Sequence, residues 1–218
     1  MKPQVIFYIF FFALLISCGS EKSVDRETFR EIQKSTEIKK VNEAELVEFA
    51  MKWGDQISAE AQKSLVETLQ KVIADRGLAG AVDFCHAEAL PITKEVAEKH
   101  RVAVKRVSLK NRNPANAPND MEKNLLEAYA YNLAQGMENQ PNIQKLDNGE
   151  VLLYTKAIVI PGGICLSCHG DPGSEIEEST LAKISEKYPH DKATGYKAGE
   201  LRGMWSIAIP RKEAIRNM

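Results

Sequence analysis

The sequence predicts an α+β chain, with helices first and an antiparallel sheet after them. Three observations carry that expectation. Apolar residues recur every three or four positions from Ala44 to Val72, and apolar and polar residues alternate around Val102, Val104 and Val107. An Asn-Gly turn within Asp147-Asn148-Gly149 joins two apolar runs, as in a β-hairpin. The chain has 218 residues, 44% hydrophobic and 27% charged, enough for one domain with a sizeable core. A formal net charge of −1 provides no basic field, so nucleic acid is excluded as a partner. No internal repeat or low-complexity segment is present.

Residues 1–17 read as a lipoprotein signal peptide. Lys2 precedes an apolar run from Val5 to Ile16, and Leu15-Ile16-Ser17-Cys18 ends it as a lipobox does. A span needs about 20 apolar residues, so cleavage before Cys18 and lipidation of Cys18 are expected, anchoring the chain without crossing the bilayer. Gly19-Ser20, lacking Asp at the second position, resembles lipoproteins sorted to the outer membrane. The predicted location is therefore a periplasm-facing membrane, the outer one. Residues 18–43 form a polar tether in which Val24, Phe29, Ile32 and Ile38 are too sparse for a core helix.

The domain itself is expected over 44–210. Leu46, Phe49, Trp53, Ile57, Ala61, Leu65, Leu69 and Val72 form a helical stripe that Gly77 ends. Gly54-Asp55 is a candidate break, with Asp55 or Ser58 capping a second piece. A helix from Leu78 to Leu90 presents Val82, Cys85 and Ala89 inward, and Pro91 begins a new segment reaching His100. A strand over 102–107 and a loop over 111–119 with Pro114 and Pro118 follow. Asp120 caps a helix through Leu125, Leu126, Tyr129 and Leu133, closing at Gly136. The hairpin pairs Ile143–Leu146 with Val151–Ile160 across a primed turn. Ile176 to Tyr188 is helical, Met204 to Ile209 is a closing strand, and 211–218 is a charged tail.

Directly after the long hairpin strand stands Cys165-Leu166-Ser167-Cys168-His169. Cys-x-x-Cys-His is the attachment pattern of a c-type haem. Two thiols three positions apart add across the two vinyl groups of one porphyrin, and the adjacent His supplies an axial nitrogen to the iron. A thioredoxin-type dithiol would sit after the first strand of a small α/β domain, and a zinc site would need a second Cys/His pair. Neither condition is met, so one covalent haem c is expected on Cys165 and Cys168 with His169 as an axial ligand. Attachment of such a haem is completed outside the cytoplasm, in agreement with the signal peptide.

Of four Cys, one goes to lipid and two to haem, which leaves Cys85 alone in an oxidising compartment. A small buried residue on a helix face is one reading of it. The adjacent His86 would ligate instead if the helix were rotated. Met204 and Met137 suit core packing better than ligation, and His100 and His190 read as surface residues. Arg106 and Arg112 suit haem propionates, or are solvated charges. Trp205 and Tyr154 pack near a porphyrin edge or elsewhere in the core.

Five stretches, Ala81–Cys85, Arg106–Ser108, Arg112–Pro118, Cys165–Gly170 and Gly199–Gly203, together resemble the bacterial Tll0287-like family of haem-c domains with a PAS-like fold, over roughly Ala44 to Pro210. The resemblance implies N-terminal helices followed by a PAS-like antiparallel sheet carrying one covalent haem c. It also implies His169 and Cys85 as the two axial ligands. A thiolate offsets charge in ferric iron more than in ferrous iron and so lowers the reduction potential. The expected function is that of a lipid-anchored extracytoplasmic monohaem cytochrome, passing electrons or a redox signal to another protein, and not an enzyme. Two rivals stand beside it. A gas sensor would let NO or CO displace Cys85, and a peroxidase-type enzyme would need an open iron and a distal acid/base, for which His86 alone is at hand.

Overall fold

The computed structural model describes residues 25–30 and 41–218. The expected signal peptide, Cys18 and most of the expected tether lie outside the described residues; within 18–43, residues 26–30 are helical. Residues 41–218 form one unit.

Helix α1 (Glu43–His100) begins at Asn42, whose side-chain oxygen accepts the Ala44 N–H at 2.9 Å, with Glu43 and Glu45 in the first turn. The stripe behaves as expected through Leu65: Leu46, Ala50, Trp53, Ile57, Ala61 and Leu65 are buried against the sheet. From 66 to 80 no residue is buried, so Leu69 and Val72 are half-exposed. Gly77 interrupts the helix at φ +70°, ψ −177°, as its sequence position suggested, but the chain resumes helix at once and α1 is two rods joined at a glycine.

Two expected boundaries are absent. Gly54 does not break the helix: a Cβ there would lie 2.3 Å from Tyr154 Cγ, so this glycine permits close approach of helix to sheet. Pro91 sits inside α1, because Ala89, Thr93 and Val96 are buried on both sides of it and their packing outweighs the local bias against helix. Arg101, in the left-handed region at φ 55°, closes the helix.

Four antiparallel strands, β1 (Ala103–Val107), β2 (Asn142–Leu146), β3 (Val151–Val159) and β4 (Leu201–Pro210), lie in the order β1-β4-β3-β2. The α+β expectation holds. Side-chain alternation along β4 sends Trp205, Ile207 and Ile209 to α1 and Met204 and Ser206 to the opposite face. There α2 (Asp120–Ala134) packs Leu126 and Tyr129 on Val107 and Met204. Its cap is Asn119 rather than Asp120, in a reciprocal capping box with Glu122. The β2–β3 loop is longer than a two-residue primed turn: Leu146 pairs with Val151, and Asp147, Asn148 and Gly149 all have positive φ.

After β3 come α3 (Leu166–His169) and α4 (Glu178–Lys187), the latter packing Ile184 with Ile176, Tyr188 and Val82 of α1. Residues 211–217, expected as a charged tail, form α5 (Arg211–Asn217), whose Ala214 joins the main core.

Candidate functional site

The chain leaves β3 through Gly162 and Gly163, at φ 97° and 56°, and turns through Gly163–Cys165 into α3. Gly170 ends that short helix where a Cβ would meet Leu166 O at 2.6 Å. The motif is then docked on the loop before β4: Tyr196 N–H donates to His169 O at 2.9 Å and Gly195 N–H to Gly170 O at 2.8 Å.

That docking orients the His169 ring. Its Nδ1 lies 2.7 Å from Ala193 O, and a carbonyl can only accept, so Nδ1 carries the proton and Nε2 keeps its lone pair. Burial, reinforced by the Arg202 and Arg112 cations, holds the imidazole pKa well below its ordinary value, which keeps the ring neutral and able to ligate. Tyr196 meets the ring edge-on at 6.3 Å. Cys165 packs with Leu166 on Ile160, Ala193 and Tyr196, and Cys165 and Cys168 are both half-buried free thiols. Burial pushes both thiols up in pKa.

Arg112 is the brace of the site. Its Nε and Nη2 grip both Asp191 oxygens at 3.1 Å, and Nη2 also donates to Cys168 O at 2.6 Å and to Ala193 O at 3.3 Å. Arg112, which the sequence offers as a possible propionate contact, thus makes these bonds to protein carbonyls and a protein carboxylate through Nε and Nη2. Arg106 differs: its guanidinium lies over the Trp205 ring at 5.8 Å, on the α1 face of the sheet, and that side chain makes no hydrogen bond or ion pair among the described residues. Burial lowers its pKa, while Cys85 and Tyr188 oppose that shift.

Cys85 comes from the second rod of α1 and is half-buried. Burial raises its thiol pKa, and the cations of Arg106 and Arg112 pull it down. Beyond burial, Arg112 pulls the Cys168 thiol down while Cys85 and Cys165 push it up, and Arg202, Arg112 and Arg106 all lower His169; Arg112 itself bonds Cys168 O and shares Ala193 O with His169. His86, one residue on, is exposed and meets the Tyr188 ring edge-on at 5.0 Å.

The other sequence candidates sort cleanly. Met204 is fully buried in the α2 core and Met137 is exposed. Trp205 and Tyr154 belong to the core beneath α1, Trp205 also carrying Arg106. His190 is exposed. His100, expected at the surface, is largely buried and bonds Glu60 at 2.8 Å across α1. Sequence reasoning missed four contributors. Ala193 supplies a carbonyl, which any residue could, and Asp191 and Tyr196 stand 22 and more positions beyond the motif with no local signal. Arg202 lay within a stretch singled out for its resemblance; its guanidinium donates to Ser108 Oγ and Lys110 O and covers the Tyr196 ring at 5.5 Å, with no carboxylate partner among the described residues. Among the described residues no three His, Cys, Asp or Glu side chains converge on a common metal position, and no helix is long and apolar enough to cross a membrane.

Comparison with known proteins gives the following. The model of the Tll0287-like family matches residues 23–210. Among curated proteins no relative matches. A solved structure, described as that of the cyanobacterial heme-protein Tll0287, is 30% identical, with 67% of this chain and 91% of that chain covered and a TM-score of 0.47.

Proposed function

We propose, from the premise that this chain belongs to the Tll0287-like family, that it is a monohaem c-type protein acting in electron transfer or redox sensing. The observation that carries the reading is His169: its Nδ1 is committed to Ala193 O, which leaves Nε2 for a metal next to the paired free thiols of Cys165 and Cys168. A haem bound there supplies a one-electron couple.

The chain's own groups fit that cofactor. Cys165 and Cys168 would hold it covalently, and His169 and Cys85 would supply its iron with side-chain ligands. Arg106 meets a propionate, and Arg202 joins it in that role, since both guanidiniums lack carboxylate partners among the described residues. Arg112 keeps the motif in place. Held by two side chains, the iron would be closed to small ligands, and the protein would act as a carrier or sensor. Lipidation at Cys18 places it on a periplasm-facing membrane, the outer one, where it exchanges electrons or a signal with a redox partner or signalling protein.

The test is the optical spectrum of protein matured with a c-type haem assembly system, recorded oxidised, reduced, and reduced under CO. A six-coordinate low-spin spectrum indifferent to CO is expected. Ready CO binding would move the function to gas sensing, and a chain without covalent haem would reject the reading.

A further inference from the structure

One carbonyl in this site serves two donors. Ala193 O accepts His169 Nδ1–H at 2.7 Å and Arg112 Nη2–H at 3.3 Å. Asp191, gripped by Arg112, also accepts the Ala193 N–H at 2.9 Å, so the carboxylate holds Ala193 by its amide and the guanidinium holds it by its carbonyl. Their side chains are 12% and 9% exposed, which leaves the two charges little screened by water. The sequence offers no reason for Arg112 and Asp191 to stand together, and the haem motif alone does not require them.

We propose that Arg112 and Asp191 are a charged positioning pair for His169: they fix the Ala193 carbonyl that orients the imidazole, and their opposed charges set the reduction potential of the site. The inference rests on the haem reading above. A carbonyl accepting Nδ1–H leaves more electron density at Nε2, which favours the oxidised iron. A guanidinium sharing that carbonyl draws density away from it and adds positive charge nearby, which favours the reduced form. Asp191 offsets that cation. Removing the cation and removing the anion must therefore move the equilibrium in opposite directions, whereas a pair that only braced the loop would loosen it in the same way from either side.

The experiment is a redox titration of the full haem-loaded chain as wild type, Arg112→Gln, Arg112→Lys and Asp191→Asn, with covalent haem and thermal unfolding measured on the same samples. At a fixed applied potential, Arg112→Gln is expected to raise the oxidised-to-reduced ratio about threefold or more, and Asp191→Asn to lower it about threefold or more; threefold is about 28 mV for a one-electron couple. Arg112→Lys, which keeps the charge and loses the fork, stays closer to wild type than Arg112→Gln. Shifts of the same sign, or no shift in either variant, overturn the proposal. If Arg112→Gln does not accumulate, Asp191→Asn decides: a ratio unchanged from wild type overturns it and a lowered ratio supports it. A wild-type chain that carries no covalent haem fails before any titration, and so is distinguished as a failure of the haem reading itself.

Discussion

Gly54 is where a single hydrogen atom in place of a side chain lets α1 lie on the sheet. A Cβ at this position would stand 2.3 Å from Cγ and 2.4 Å from Cδ2 of Tyr154, a ring that is fully buried and whose hydroxyl donates to Asp55 at 2.6 Å. The ring cannot retreat without breaking that bond. Gly54→Ala is expected to destabilise the protein by about 1–3 kcal/mol, the range of overpacked cores, measured as a lower urea midpoint. A midpoint equal to wild type would mean the core yields at Tyr154. Cys85→Ala makes a second prediction at this scale. Under the function proposed above, the variant keeps its covalent haem, binds CO when reduced and has a raised potential; an unchanged spectrum would remove Cys85 from the iron. Five contiguous residues made the haem motif legible in the sequence, and cysteine counting singled out Cys85. Asp191, Ala193 and Arg202 were not legible as members of the site, because their contribution is a contact made across the fold, not a residue type in a pattern.

At the scale of elements, three punctuation residues of α1 behave in three ways. Gly77 interrupts the helix, Gly54 serves its packing and Pro91 is carried through it. Local preference is the same kind of signal at all three, of order 1–3 kcal/mol, and burial of neighbours decides the outcome. Around Gly77 no residue is buried, so the preference prevails; around Gly54 and Pro91 the buried Trp53, Ile57, Ala89 and Val96 hold the helix together. Sheet elements were more legible, since alternation survives burial of one face, although β4 runs from Leu201 to Pro210, beyond both ends of the expected Met204–Ile209. Helix α2 shows a cap that does two jobs. Asn119 accepts from Glu122 N–H at 2.8 Å, Glu122 accepts back from Asn119 N–H at 3.0 Å, and the free Glu122 oxygen takes Ser206 Oγ–H of β4 at 2.7 Å. Asn119→Ala is expected to cost about 0.5–2 kcal/mol of stability in denaturant unfolding, with little change in the spectrum of the site.

For the molecule as a whole, ion pairs join segments far apart in the sequence. Glu43, in the first turn of α1, bonds Arg211 at the start of α5 and Lys145 of β2, and these bonds hold its carboxyl down from an ordinary 4.5 to about 2. Glu60 is lowered by Lys99 and His100, from the other end of α1. Burial pushes the Asp55 carboxyl up, and Tyr154 and Lys156 outweigh it to leave the pKa low. Groups depressed on folding contribute stability above their unfolded values, and that stability is lost as pH falls through the folded ones. The melting temperature is therefore expected to fall as pH drops from about 4.5 toward 2, and Glu43→Gln to make that fall shallower; equal slopes for the two proteins would exclude the Glu43 contacts as a contributor.

The strand order carries a consequence for how the chain acquires this structure. The last strand made, β4, lies between β1 and β3 and is hydrogen-bonded to both, so until it arrives β1 has no partner and only the β2–β3 hairpin can pair. Such distant pairing comes late and slowly. Cys85 lies on the helix made before any strand, whereas the Cys165–His169 motif follows β3 and precedes β4. Trp205, inside that strand, is a built-in fluorescent reporter of the closing step.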